Sequence, residues 1–220
     1  MCLLARHHLD MKNNKRWVFI LIGLLGIGLV GIAGYSMVVQ PQLENRTISV
    51  TVPTPISYPE TGFSFMFPSG VDALALIEPP ISTSTDSSLK KAYLLMNTKE
   101  FNEYNSLVEK GTPPPTISIF IVGYASTEDE SADAGRISKL QTWAQNNPQY
   151  SSWGRMSSEL EVVEVDGAPA IHYQTTGEYQ QSVYVTLYQK NMYILTAQFD
   201  EGETATQSIF SELISSVTFD

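Results

Sequence analysis

An unbroken run of apolar residues from Trp17 to Val39 constrains this chain more than any other feature of its sequence. The run contains no charged side chain. As a helix rising about 1.5 Å per residue, it is long enough to cross a hydrocarbon core of about 30 Å. We therefore predict a single transmembrane helix over 17–39, in direct contact with the lipid bilayer.

The charges on either side of this run predict its orientation. Residues 1–16 contain one acid, Asp10, and four bases, which are Arg6, Lys12, Lys15 and Arg16. The segment 40–46 carries one acid and one base. Because basic residues stay on the cytoplasmic side of a membrane, we predict a cytoplasmic basic tail over 1–16 and an extracytoplasmic position for everything from Gln40 onward.

The competing interpretation is a cleaved signal peptide, which also has a basic segment followed by an apolar one. Gly31-Ile32-Ala33 offers small residues for cleavage. The apolar part of a signal peptide is usually only about 7–15 residues long, whereas this run continues to Val39. Its length favours a retained signal-anchor. Both interpretations place the rest of the chain outside the cytoplasm, and the retained anchor would hold it at the cell membrane.

The residues beyond the run are acidic and lack cysteine. Only Asp10 of the 23 Asp and Glu residues precedes the run, as do four of the 13 Lys and Arg residues, so the remainder has 22 acids, nine bases and a net charge of −13. Such a surface opposes binding to nucleic acid, which needs neutralising cations. The single cysteine, Cys2, precedes the run, so disulfides and thiolate chemistry are excluded beyond it.

One motif inside the run resembles a nucleotide-binding fingerprint. Gly26-Ile27-Gly28-Leu29-Val30-Gly31 spells G-x-G-x-x-G. That fingerprint needs a preceding strand and a following helix in a βαβ unit. Here it lies within the predicted membrane span, so we predict no cofactor.

Prolines divide the exterior part into a stalk and a domain. Pro41, Pro53 and Pro55 oppose regular helix and favour extended chain, so we predict a Pro-rich stalk over 40–57. Val50 and Val52 could add a short strand there. Residues 58–220 then form one extracytoplasmic domain of ordinary size.

Hydrophobic patterns in 58–220 predict an α+β domain. Alternating side chains indicate strands at 63–67, 92–97, 117–123, 159–165, 168–175, 182–189 and 192–199. Helical stripes indicate a helix containing Ile137, Leu140 and Ala144 and a closing helix containing Ile209, Phe210, Leu213 and Ile214. Hairpins with intervening helices favour an antiparallel sheet with flanking helices.

Shorter signals predict the turns and ends of these elements. Asp166-Gly167 is a type I′ turn dipeptide, and Lys190-Asn191 is a second short turn. Thr204 to Gln207 is a capping box for the closing helix. The segment 98–110 has helical spacing before three prolines, and Val217 to Phe219 is a short return to the sheet.

Several short motifs together resemble the PsbP-like family, named for an extrinsic subunit of photosystem II. They are the segment from Tyr58 to Pro68, Val165-Asp166-Gly167-Ala168-Pro169-Ala170, Asn191-Met192-Tyr193-Ile194-Leu195 and the segment from Phe210 to Phe219. In the first of these, Thr61 interrupts the family's pattern between Glu60 and Gly62-Phe63-Ser64-Phe65-Met66-Phe67-Pro68. The resemblance covers 58–220 and implies an α/β/α sandwich with an accessory, non-catalytic role. No photosynthetic role and no metal-binding residue carries over.

His172 is the only histidine beyond the apolar run, and it lies within a predicted strand. A catalytic triad would also need a nucleophile and a carboxylate placed beside it by the fold. No G-x-S-x-G elbow occurs in the sequence. We therefore favour a structural histidine, and we predict no catalytic, cofactor-binding or metal-binding residue.

Two other groups of residues have a functional and a structural interpretation. Glu128-Asp129-Glu130 with Asp133 offers oxygen ligands for Ca²⁺, but the ordered spacing of an EF-hand is missing, so a solvated loop is favoured. Tyrosines crowd the last hairpins, where packing beneath helices is favoured over stacking on a ligand. These are Tyr173, Tyr179, Tyr184, Tyr188 and Tyr193.

The sequence thus predicts a single-pass membrane protein that presents a non-catalytic accessory or binding domain to a membrane protein, an envelope component or a small ligand. The alternative is an extracytoplasmic hydrolase that uses acidic residues and His172. A pocket that joins His172 to a serine or an acid at hydrogen-bond distance would favour the enzyme, and a closed core would favour the accessory domain.

Overall fold

The computed structural model describes residues 52–69, 73–81, 86–109, 111–125 and 133–220. The predicted tail, transmembrane helix and most of the stalk lie outside these ranges and stay predictions. Among the helices of the described residues, none has the length and apolar character needed to cross a membrane. The described residues all belong to one compact unit.

The described residues contain ten strands and four α-helices. The strands are β1 (Val52–Tyr58), β2 (Phe63–Ser69), β3 (Leu74–Ile77), β4 (Leu89–Asn97), β5 (Thr116–Gly123), β6 (Glu161–Val165), β7 (Ala168–Thr175), β8 (Gln180–Tyr188), β9 (Asn191–Phe199) and β10 (Thr218–Phe219). The helices are α1 (Thr98–Ser106), α2 (Asp133–Asn146), α3 (Pro148–Ser151) and α4 (Ala205–Ser216).

All ten strands form one sheet in the order β1-β2-β3-β4-β5-β9-β8-β7-β6, with β10 also beside β2. The α+β class is confirmed, but the sheet is mixed and not purely antiparallel. β2 and β3 run parallel through one pair, Ser69 and Leu74. Alternation of side chains is the same in both kinds of pairing, so the sequence pattern could not reveal this contact.

The first strand begins inside the segment predicted as stalk. Val52–Tyr58 forms β1, the edge strand that pairs antiparallel with β2. The strand contains Pro53 and Pro55. Proline lacks an N–H, and an edge strand tolerates it because one side of the backbone needs no ladder bond. The prolines that suggested a stalk are thus compatible with the short strand foreseen near Val52.

The sheet carries a separate apolar core on each face. On the α4 face, Phe63, Phe65 and Phe67 of β2 pack with side chains of β4, β5 and β9 and with Phe210 and Leu213 of α4. On the α2 face, side chains of β7, β8 and β9 pack with Leu140, Trp143 and Ala144 of α2. The alternation predicted for β2 and the apolar stripes of both helices are confirmed.

Of the two predicted hairpin turns, the first is at the predicted position and the second is shifted by one residue. Asp166 and Gly167 have φ of 48° and 74°, as a type I′ turn requires, so that turn is confirmed. In the β8–β9 hairpin the positive φ angles belong to Gln189 (44°) and Lys190 (61°), so the turn lies one residue earlier than predicted. Asn191 instead pairs with Tyr188 as the first residue of β9.

The capping box predicted for the closing helix is wrong. Thr204 has helical dihedral angles and caps nothing with its side chain. The preceding residue takes this role, because Glu203 Oε1 accepts a hydrogen bond from the Thr206 N–H at 2.7 Å. After α4, the predicted return to the sheet is confirmed: β10 pairs with β2, placing Thr218 opposite Ser64 and Phe219 opposite Phe63.

Candidate functional site

His172 lies in β7 with its side chain on the α4 face, between the two neighbouring strands. In register, it is directly opposite Glu161 of β6 and Tyr184 of β8. Directly opposed residues in antiparallel strands bring their Cβ atoms to about 4.5–5.5 Å. The fold therefore places a carboxylate and a phenol ring beside the one histidine beyond the apolar run.

The imidazole makes one hydrogen bond at each nitrogen. Nδ1 lies 3.0 Å from Glu161 Oε2, and Nε2 lies 3.0 Å from Ser182 Oγ of β8. A carboxylate only accepts hydrogen bonds, so Nδ1 carries the proton that is donated to Glu161. In the neutral imidazole, Nε2 then accepts from the Ser182 hydroxyl. We call these three residues the Glu161–His172–Ser182 array.

Tyr184 packs along the imidazole. The two rings are stacked, with centroids 4.4 Å apart and planes 26° apart, and Tyr184 meets Phe210 of α4 edge-on. Burial raises the pKa of Tyr184, and the charge of Glu161 raises it further. The array thus lies where the apolar core under α4 meets solvent. The His172 side chain is 16% exposed and that of Glu161 67%.

The sequence indicated His172 but neither of its partners. A signal for Glu161 was present, because counting outwards from the two-residue turn at Asp166-Gly167 places Glu161 opposite His172. Ser182 had no such signal. Its position depends on the longer connection between β7 and β8, which contains no short hairpin motif.

Ser182 differs in its setting from the nucleophile of a serine hydrolase elbow. It lies within β8 and pairs with Gln174 of β7 on one side and Ala197 of β9 on the other. Its main chain therefore belongs to the sheet ladder, whereas an elbow nucleophile sits on a sharp turn next to free backbone N–H groups. Any donor for a developing oxyanion at Ser182 has to come from a side chain.

The predicted acidic loop falls almost wholly outside the described residues. Of its members, only Asp133 is described, as the first residue of α2. Within the ranges that the structure describes, no three His, Cys, Asp or Glu side chains are grouped so that they could hold a metal ion. Calcium binding by this loop stays an untested alternative.

The late tyrosines mostly pack inside the domain, as favoured from the sequence. Tyr173 and Tyr193 are fully buried, and their hydroxyls donate to the carbonyl oxygens of Ser151 and Thr61. Tyr188 stacks on Phe219 with ring centroids 4.8 Å apart. These side chains join the strands to the segments that cover them, so they do not form an open stacking surface.

A shallow groove of about 270 Å³ lies elsewhere on the molecule, along α2. Its lining includes Tyr124, Lys139, Trp143 and Asn146. Because Trp143 belongs to the core on the α2 face, this groove and the array lie on opposite faces of the sheet. The groove therefore does not give access to His172.

Comparison with known proteins gives similarity only at the level of structure. No family model matches the sequence, and no curated protein matches it. The structure is similar to the solution structure of cyanobacterial PsbP from Synechocystis, with a TM-score of 0.46 and 15% identity, over 82% of this chain and 99% of that one.

Two crystal structures give weaker similarities. One is from Bacteroides thetaiotaomicron, with a TM-score of 0.42 and 11% identity, over 78% of this chain and 49% of that one. The other is a protein of unknown function from Pseudomonas aeruginosa, with a TM-score of 0.34 and 9% identity, over 76% of this chain and 97% of that one. These likenesses concern fold alone.

Proposed function

We propose that this protein is a single-pass membrane protein whose domain, predicted over 58–220, acts outside the cytoplasm as an accessory domain that binds a partner. The helix predicted over 17–39 anchors it in the lipid bilayer with the basic tail inside. Its partner is a membrane protein or an envelope component. The acidic exterior, with a net charge of −13, argues against nucleic acid as that partner.

The observation that carries this proposal is that the residues of the array bond to one another and pack within the domain. The centre of the domain is apolar on both faces of the sheet. The polar residues of the array connect three adjacent strands, with Ser182 in the ladder and the imidazole against Tyr184. A histidine with both nitrogens bonded in this way is satisfied without any substrate.

Complementation of a deletion strain tests this proposal. We expect full-length protein carrying His172→Gln or Ser182→Ala to restore the phenotype. A secreted form in which a cleavable signal peptide replaces residues 1–39 should fail although it is exported and folded. Folded array variants that do not complement would contradict the proposal. Circular dichroism of each purified variant establishes that it is folded.

A second candidate function is an extracytoplasmic hydrolase. The observation that favours it is the pair of 3.0 Å hydrogen bonds that join His172 to an acid and to a serine. In the tautomer derived above, Nε2 is placed to take a proton from the serine hydroxyl, while Glu161 orients the ring. Release of product from a simple ester, dependent on His172, is the test.

A further inference from the structure

We infer, on the basis of the second candidate function, that Ser182 is a nucleophile that is acylated by small esters. The array has the order that such chemistry needs: a carboxylate on Nδ1 and a hydroxyl on Nε2, each at 3.0 Å. The three residues come from three adjacent strands, so their spacing is set by the sheet. A site built on rigid strands holds its geometry better than one built on loops.

A donor for the oxyanion is available from the neighbouring strand. Gln174 of β7 is directly opposite Ser182 and on the same face of the sheet, since it follows His172 by two residues. Its side chain is exposed and carries an amide NH₂ group. We therefore assign the Gln174 side chain as the oxyanion donor, because the backbone of Ser182 pairs on both sides within the sheet.

Acylation needs no reactant other than these residues and the ester. Ser182 Oγ attacks the ester carbonyl carbon while His172 Nε2 takes the hydroxyl proton, and Glu161 stabilises the imidazolium. The C–O bond to the leaving alcohol then breaks as the proton passes from Nε2 to that oxygen. Water adds to the acyl-serine in the same way, which releases the acid and restores the hydroxyl.

The surroundings of the array define the substrate class. Glu161 is 67% exposed and borders the site with its charge, which disfavours anionic substrates. The His172 side chain is only 16% exposed and its ring is stacked on Tyr184, so the space beside Ser182 suits a small acyl group. We therefore assign short-chain esters of neutral or cationic alcohols or phenols.

The test uses full-length protein in detergent with p-nitrophenyl acetate as the probe. We expect p-nitrophenol release above the rate in buffer, and peptide mass spectrometry should locate one acetyl group on Ser182. Ser182→Ala should abolish the acetylation, and His172→Gln should lower the release rate by about 100-fold. Gln174→Ala should lower it by at least about tenfold. The matched control is Ser211→Ala, an exposed serine of α4.

The outcomes separate this inference from the function on which it rests. Release that needs His172 but persists in Ser182→Ala would overturn the acyl-serine and keep a hydrolase that activates water directly. Neither release nor acetylation in wild type would overturn both and leave the binding function. If Ser182→Ala is unfolded, Ser182→Cys, which keeps a nucleophile, should retain acylation, and its failure in a folded variant would overturn the inference.

Discussion

The carboxylate of Asp166 accepts a hydrogen bond from the backbone N–H of Phe219, with Oδ2 and N 2.7 Å apart. Asp166 lies in the β6–β7 turn, at one end of the strand order. Phe219 belongs to β10, which pairs with β2 near the other end of that order. The same side chain that suits a type I′ turn therefore also attaches the last short strand. Phe219 in turn packs on Phe63, Tyr188 and Tyr193.

Two substitutions separate the two contributions of Asp166. Asparagine tolerates positive φ, so Asp166→Asn should keep the turn and lower the free energy of unfolding by about 1 kcal/mol through a weaker bond to Phe219. Asp166→Ala should cost about 1 kcal/mol more, because alanine is strained at φ 48°. Denaturant unfolding of full-length protein in detergent measures both. Equal losses would show that the turn conformation contributes nothing.

Gly62→Ala should destabilise the domain by about 2 kcal/mol or more. Gly62 has φ +65°, and a Cβ there would lie 2.4 Å from the backbone oxygen of Asp220, which has to move. The matched control is Gly167→Ala, where φ is +74° but no atom lies within 4 Å of the new Cβ. That control should show only the backbone strain, about 1 kcal/mol. Thermal melting of the two variants decides whether the close approach matters.

Phe65→Ala should lower the free energy of unfolding by about 3–5 kcal/mol. Phe65 is 1% exposed and contacts Phe63, Phe67 and Tyr93, so its removal leaves a cavity in the core on the α4 face. Its neighbour Met66 points to the other face and is 46% exposed, so Met66→Ala should cost less than about 1 kcal/mol. Similar losses for the two variants would contradict the assigned faces.

Asp86 should make the free energy of unfolding depend on pH. The Ser88 side chain and backbone and the Tyr150 hydroxyl donate to its carboxylate and hold its pKa below the ordinary value of an aspartate, although burial opposes them. A carboxyl whose pKa is lowered by folding contributes stability above the unfolded-state pKa, and that contribution is lost as pH falls through the folded-state value.

Asp86→Asn should therefore be less stable than wild type at about pH 7, and the difference should shrink as the pH falls below about 4. Tyr150→Phe removes one donor and keeps most of the packing, so it should show a smaller loss with the same pH trend. Denaturant titrations across this pH range measure both variants. A difference that grows on acidification would refute the assignment.

The topology prediction can be tested with a cysteine placed from the structure. Ser87 is exposed, whereas the hydroxyl of its neighbour Ser88 is bonded to Asp86, so Ser87→Cys disturbs less. In intact cells a membrane-impermeant thiol reagent should label the introduced cysteine and leave Cys2 unlabelled until the cells are opened. Labelling of Cys2 alone would reverse the predicted orientation.

Local patterns in the sequence determined much of the fold. Phe63, Phe65 and Phe67 alternate as β2 requires, and Asp166-Gly167 forms the predicted turn, because side-chain period and positive φ depend only on nearby residues. The same turn sets the register that places Glu161 opposite His172, so half of the array was implicit in the sequence.

The rest was decided by tertiary structure. The parallel contact between Ser69 and Leu74, the bond from Phe219 to Asp166 and the meeting of Ser182 with His172 all join residues that no turn signature connects. Their partners are chosen by how the strands pack into one sheet, and packing energy is a property of the assembled core, not of any local segment. The sequence by itself therefore determined which side chains face the two cores, and only the tertiary structure decided which polar groups meet.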